Sequence, residues 1–468
     1  MHGFPPGYHV DGATWVYLSA VLITAIYFRF SRIWSLRNLD LALMLAAPPG
    51  LLLARQSEWE QLGFVWLFVT SGLFLVRLLI DPWLQRRPVL GQNLNASGLG
   101  FLGIATLVLL TSASIQRELP SATARVIEDS QRLLGLPDTA ARRDMVSAAT
   151  GVPVALPTAS LPPPTSAVDP EEASLTHGPA AAIIATTGRL ISNEKEYAAR
   201  GIAMLAHIAV ALGLLFAGRN LCSQLHLGVA MATLYLLHPA TALDVSAATH
   251  VLPAALIIWA LVCFRYPLVA GMLMGLACGT LFFPLFLLPL WLAFYGRRGS
   301  LRFATSLFVV FAVLFTTLVL TTDDPNSLIR RTLGTLHLHV MHFEGGGQFH
   351  GFWSEYGNGW FRIPVIAAYL VMLVTLTFWP RQKNIEHLIT ASAAAIVGTQ
   401  FWYPQEGGVY VLWYLPLVIL VTFRPRLVHL TPPASALTAE ELAARPGSTP
   451  LPPTRGSSTM ISRANLYR

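Results

Sequence analysis

"PLVAGMLMGLACGTLFFPLFLLPLWLAFYGRR" runs from Pro267 to Arg298 and is apolar until its two closing arginines. As one straight helix rising about 1.5 Å per residue, it would overshoot a hydrocarbon core of about 30 Å. Pro284 and Pro289 stand inside it, preceded by Gly275 and Gly279. It therefore crosses a membrane either once, as a long tilted helix, or twice, as a hairpin. Flanking charge decides between them. Arg265 precedes the stretch, and Arg297, Arg298 and Arg302 close it. A single crossing leaves one of these clusters outside and inverts every later loop, exposing Arg381, Lys383, Arg424 and Arg426. Two crossings keep all of them inside, as the positive-inside bias requires. Proline lacks the amide donor of the helix ladder and disfavours helix in the residue before it, so Phe283–Pro284 is the expected turn. Each arm is short for a full span. It is expected to tilt, or to keep its turn within the protein at membrane depth.

The rest of the chain agrees with a membrane setting. Of 468 residues 54% are hydrophobic and 12% charged, and the mean hydropathy is +0.55. A soluble domain carries about 25% charged residues. The apolar runs are continuous and near 20 residues, which implies an all-α polytopic membrane protein and excludes the alternating strands of an outer-membrane barrel. The net charge is +7, and only Lys195 and Lys383 are lysines. The arginines are scattered through short loops, so they read as topology signals and no nucleic-acid partner is expected. Cys222, Cys263 and Cys278 have no CxxC spacing, which suggests neither a disulfide framework nor a zinc site. The N-terminal "MHGFPPGYHVDG" has no basic region and no cleavage site, so the first apolar segment is expected to remain as a span.

Spans are read at about 13–28, 39–54, 61–80, 97–113, 201–218, 227–243, 249–264, 267–281, 283–296, 302–321, 363–379, 385–402 and 408–423. That is about thirteen transmembrane helices (twelve to fourteen). Arg29, Arg32 and Arg37 follow the first, which places the N-terminus outside and the C-terminus inside. Residues 1–96 form a three-span extension and 97–321 a seven-span core with a long outer loop at 114–200. A second outer loop, rich in histidine and aromatic residues, covers 322–362. Three further spans occupy 363–431. Residues 432–468 read as a disordered cytoplasmic tail. Within the first outer loop, "SATARVIEDSQRLLGL" (121–136) has helical periodicity. The Pro-rich 152–170 reads as a linker, and 180–201 as one helix leading into the fifth span.

Polar groups concentrate outside, including His177, His238, Asp244 and Glu406. In the second outer loop, His337, His339 and His342 have a loose spacing for a metal, and no metal is assigned. With Arg330, Arg331 and Arg362 they suit an anionic phosphate group. Trp353, Tyr356 and Trp360 can stack on a sugar or line a lipid groove. Glu128 and Asp129 are the first loop's candidate general bases. Glu128 and Asp129 are adjacent on a helix, about 100° apart, so one at most faces a given site. His250 and Asp244 flank a short outer turn, where helix capping competes with a role at a site. His207, inside the fifth span, reads as a neutral imidazole bonded across helices.

The stretch "LYLLHPATALDVSAATHVLPAALIIWALVCFRYPLVAGMLMGLACGTLFFPLFLLPLWLAFYGRRGSLRFATSLFVVFAVL" (234–314) resembles the core of the C-type, membrane-embedded glycosyltransferases. It is similar to the mannosyltransferase-like branch that uses polyprenyl-phosphate sugars. The shared features are a span ending in an "HP" turn, a span opening "HVLPAALIIWAL", a short basic turn, and a glycine-rich arm joined through Phe-Pro to a Leu-Pro arm. Spans four to ten reproduce that family's seven-span module, which begins inside with a long outer loop after its first span. The resemblance implies a transferase of the bacterial cytoplasmic membrane, with no cofactor. An acid in the first long outer loop would deprotonate the acceptor, by position Glu118, Glu128 or Asp129. Residues of 330–362, together with His250, would hold the lipid-phosphate donor. Three positions depart from the pattern. No aspartate precedes Asp129 in that loop, Leu281 stands where many relatives carry lysine, and the turn reads Ala247-Ala248-Thr249-His250 where theirs often reads Gly-His/Gln-x-Asp. A non-catalytic protein on the same scaffold, binding a lipid or partner, is the alternative. A transporter is the third reading, disfavoured because no second hairpin matches the first.

Overall fold

The computed structural model describes residues 11–84, 92–117, 119–134, 177–190, 192, 194–320, 351–353 and 359–433. All belong to one unit, Met1–Pro433; the second, Ala434–Arg468, and with it nearly all of the expected tail, lies outside the described residues. Among the described residues the chain is helical, without strands. In order the helices are α1 (Gly12–Tyr27), α2 (Leu36–Leu53), α3 (Glu60–Ile80), α4 (Ala96–Gln116), α5 (Ser121–Leu133), α6 (Pro179–Ala185), α7 (Lys195–Asn220) and α8 (Leu225–Leu237). There follow α9 (Pro239–Leu243), α10 (Ala248–Val262), α11 (Pro267–Thr280), α12 (Leu288–Leu320), α13 (Arg362–Phe378), α14 (Ile385–Trp402) and α15 (Val411–Phe423). Several starts are written in the sequence as side-chain caps. Asp11, Ser35, Asn95 and Asn384 each accept from a backbone amide two or three residues on.

The Pro267–Arg298 stretch folds as two arms. Leu281 is extended (φ −144°, ψ 164°) and ends α11. A 3-10 turn at Phe283–Leu287 carries Pro284 at its start, where the missing amide costs nothing. The second arm then returns, and Tyr295 Oη donates to Phe264 O at 2.8 Å, beside the start of the first. Gly296 (φ 64°) bends α12 at that point. Only a residue without Cβ adopts this conformation readily. The rest of α12 runs parallel to α11. Gly271 meets Phe303 and Ser306, Gly275 meets Leu307 and Val310, and Gly279 meets Leu314. Glycines four residues apart lie on one helix face, which lets the two backbones approach closely.

Six helical segments are long and apolar enough to cross a bilayer: Leu36–Leu53, Glu60–Trp83, Ala96–Gln116, Lys195–Asn220, Gly299–Leu320 and Gly359–Phe378. The chain is an integral membrane protein. Shorter apolar helices, the two hairpin arms among them, fill out the bundle. Each apolar run named above falls on a helix. The run at 227–243 divides at Pro239 into α8 and α9, with the His238 ring accepting from Ala240 N at 3.3 Å as the cap. One expectation is corrected. Residues 180–201 are not a single helix: α6 passes into a 3-10 turn at Thr186–Leu190, and α7 begins afresh at Lys195. At Gly188 a side chain would meet Ala198 O at 3.2 Å, so the turn folds back against the start of α7.

The core lies where α7, α8, α10, α11, α14 and α15 meet. His207 is fully buried there, with Nδ1 2.8 Å from Tyr235 Oη, the cross-helix bond expected of it. Tyr235→Phe leaves that imidazole without its partner. It is expected to lower stability by about 1 kcal/mol, read as an earlier thermal transition in detergent with the fold retained.

The bundle's two ends differ. At the end opposite the hairpin turn, a buried ionic network joins four helices. Arg424 Nη2 lies 2.6 Å from Asp81 Oδ2, and Arg424 Nη1 2.7 Å from Glu386 Oε1. Arg77 contacts Asp81 at 3.0 Å and Asp40 at 2.8 Å. Thr390 Oγ1 donates to Asp81 at 3.1 Å. Asp81 and Arg424 are each 1% exposed. Nearby, burial lowers the pKa of Lys383, whose ammonium donates to Leu376 O at 3.2 Å.

Candidate functional site

The hairpin-turn end gathers the candidate residues that the structure describes. Helix α5 is amphipathic. Its apolar face, with Val126 and Ile127, packs on Ala181 and Ala185 of α6 and Ala198 and Ala199 of α7. Thr123 Oγ1 donates to Ser246 O at 3.1 Å, which anchors the start of α5 beside α10. The adjacent acids then diverge. Glu128 Oε1 lies 3.8 Å from Lys195 Nζ in a half-exposed pair, a geometry worth little. Asp129 Oδ2 lies 2.8 Å from His177 Nε2, and its other oxygen 3.5 Å from Arg132. His177 is buried, and Gly178 N donates to Thr280 O at 2.9 Å. The Asp129–His177 pair is thereby docked on the last turn of α11.

Two residues beyond Thr280 an aromatic cluster begins. Phe282 stacks on Tyr403, with ring centroids 5.0 Å apart. Phe283 stacks on Trp413 at 4.5 Å, and Tyr410 on Trp413 at 4.2 Å. His250 presents its ring edge-to-face to Tyr410 at 5.2 Å. Tyr403 and Tyr410 meet edge-to-face, with ring centroids 5.6 Å apart. Burial, and after it the neighbouring Glu406 carboxylate, raises the Tyr403 phenol. Glu406 itself holds a positive φ of 48° in the α14–α15 turn. Beyond the cluster, Asp244 pairs with Arg55, and Arg117 Nη1 donates to Leu243 O at 2.7 Å. Burial and the charge of Arg55 lower the Arg117 pKa, while Asp244 opposes them.

Of the expected donor-binding residues, Arg362 is buried at the start of α13, where its Nε donates to Trp402 O at 3.0 Å. Trp353 Nε1 donates to Phe401 O at 2.8 Å. Trp360 is 52% exposed on the surface. Trp353 and Arg362 are thus tied to the end of α14 and His250 to the start of α15, while Asp129 reaches the hairpin through His177. Glu118, Arg330, Arg331, His337, His339, His342 and Tyr356 lie outside the described residues. Among the described residues no three His, Cys, Asp or Glu side chains converge as metal ligands. Cys222, Cys263 and Cys278 are free thiols.

Two features were not read from sequence. His177 is 48 residues from Asp129, and no spacing announces their pairing. The turn "WYPQEGGVYVLWY" (402–414) does carry a signal, an acid beside two glycines and flanked by aromatics. Neither a protein-family model, nor a curated protein, nor a solved structure matches the chain.

Proposed function

We propose that this protein is a membrane-embedded glycosyltransferase working at the hairpin-turn end of its bundle. It moves a sugar from a polyprenyl-phosphate donor to a hydroxyl acceptor on the extracytoplasmic side. The observation that carries the reading is Asp129. An acid from the first long connecting segment sits against the hairpin turn, where the resemblance asks for a general base. Arginine distribution supports the orientation, because Arg29, Arg37, Arg77, Arg265, Arg297 and Arg424 belong to the opposite end. Arg362, His250, Trp353 and Trp360 supply the cationic and aromatic side of the donor site. Thirteen spans, N-terminus out, go with this reading.

The second reading is the same scaffold without chemistry, binding a lipid. Leu281, at the hairpin turn where relatives often carry lysine, favours it. Transfer of labelled mannose from polyprenyl-phosphomannose by the purified protein in liposomes separates the two. Asp129→Asn is expected to lower the rate roughly hundredfold, the scale of general-base catalysis. Glu128→Gln, removing a half-exposed partner of Lys195, should leave it within about threefold. Equal rates for wild type and Asp129→Asn would remove Asp129 from the transfer step.

A further inference from the structure

We infer that the proton acceptor of this site is the imidazole of His177, and that Asp129 acts through it as a positioning residue. The inference rests on the transferase reading above and names the atom that does the work. His177 Nε2 is 2.8 Å from Asp129 Oδ2. A carboxylate only accepts, so Nε2 carries a ring proton, and in the neutral ring Nδ1 is the acceptor. The His177 side chain is 2% exposed. Nδ1 is buried and has no hydrogen-bond partner. Fifteen buried side-chain atoms among the described residues lack a hydrogen-bond partner, and His177 Nδ1 is the one imidazole nitrogen among them whose ring is held by a carboxylate. An acceptor hydroxyl is the group that completes this one, because it donates where Nδ1 can only accept.

The carboxylate is less suited to the role itself. One of its oxygens is held by His177 and the other faces Arg132 at 3.5 Å, so both are drawn on by cationic or donor groups. The arrangement is an acid orienting an imidazole, with the opposite ring nitrogen left for substrate. Two other acids near α5 are differently placed. Glu128 pairs with Lys195, and Asp244 with Arg55.

The step balances. Nδ1 takes the proton of the acceptor hydroxyl, and the oxygen forms its bond to the anomeric carbon. The bond from that carbon to the phosphate oxygen breaks, and the electron pair leaves on the polyprenyl phosphate. The Asp129 carboxylate stabilises the imidazolium until it returns its proton to solvent.

The full chain in liposomes, with polyprenyl-phosphomannose as probe, tests this. His177→Ala is expected to lower mannose transfer roughly hundredfold. Added imidazole, filling the space left, should restore transfer at least about tenfold, which a purely structural histidine would not allow. Transfer within about threefold of wild type in His177→Ala, or a loss that imidazole leaves unchanged, overturns the assignment. Selective ¹⁵N-histidine NMR reads the pair without any activity. A proton on Nε2 and none on Nδ1 is expected, with the preference weakened in Asp129→Asn. A proton on Nδ1 at neutral pH overturns the assignment directly. If the wild-type chain transfers no sugar while Nε2 carries the proton, the transferase reading fails and the role falls with it, although the pair stands.

Discussion

Asp81→Leu is expected to cost about 3–5 kcal/mol of folding stability, the penalty for breaking a buried ion pair from one side. Asp81 sits between Arg77 and Arg424, and Thr390 donates to it as well. With the carboxylate gone, two guanidiniums face one another across leucine. Arg424 keeps Glu386 and Arg77 keeps Asp40, but the charge that joined α3 to the end of α15 is lost. The measurement is the thermal transition and the recovery of monodisperse protein in detergent. Asp81→Leu combined with Arg424→Met should regain a substantial part of the loss, because an apolar pair can replace an ion pair at little cost. Glu386 tolerates the second change, being 16% exposed and already accepting from Leu427 N. A single variant within about 1 kcal/mol of wild type, or a double variant that merely sums the two losses, would show that the network contributes little.

Gly271→Leu should be nearly as damaging, at about 3 kcal/mol or more. A Cβ at this position would come 2.2 Å from Ser306 Oγ and 2.3 Å from Phe303 O. The serine can rotate away. The carbonyl belongs to the backbone of α12, so the two helices must separate along their length. Even Gly271→Ala meets that carbonyl. Gly275→Ala is the milder control, since its closest neighbour is the Val310 side chain at 3.0 Å. The expected order of thermal stability is wild type, Gly275→Ala, Gly271→Ala, Gly271→Leu. Equal stability of the two alanine variants would refute the backbone origin of the effect.

The hairpin was legible in advance because two independent signals coincided. Arginines flanked both ends of Pro267–Arg298, and Pro284 marked the turn. Leu281 indeed ends α11, and Tyr295 returns to Phe264. The break in 180–201 was not legible, since alanines and isoleucines suit a continuous helix. It follows from the 186–190 turn folding back onto α7, a tertiary contact that hydropathy does not encode. The site was half legible. Adjacent acids on α5 had to point apart, and Glu128 and Asp129 do. Which of them met a partner depended on His177, brought in by the bond from Gly178 to Thr280 on another helix. Burial of Arg362 against Trp402 O was hidden for the same reason, because α13 is otherwise apolar and largely exposed.

Helix α14 has a consequence of another kind. It is long enough to cross a bilayer, yet it is not among the six segments apolar enough to do so, and fifteen of its eighteen residues are buried. Glu386, His387, Thr390, Ser392, Thr399 and Gln400 lower its hydropathy. During biosynthesis such a segment partitions weakly into lipid when presented alone. Strongly apolar α15 follows a short turn later and packs against it, and Arg424 at its far end carries the charge that neutralises Glu386. Insertion of α14 therefore draws on neighbours at both ends of synthesis, α3 made well before it and α15 made some twenty residues after it.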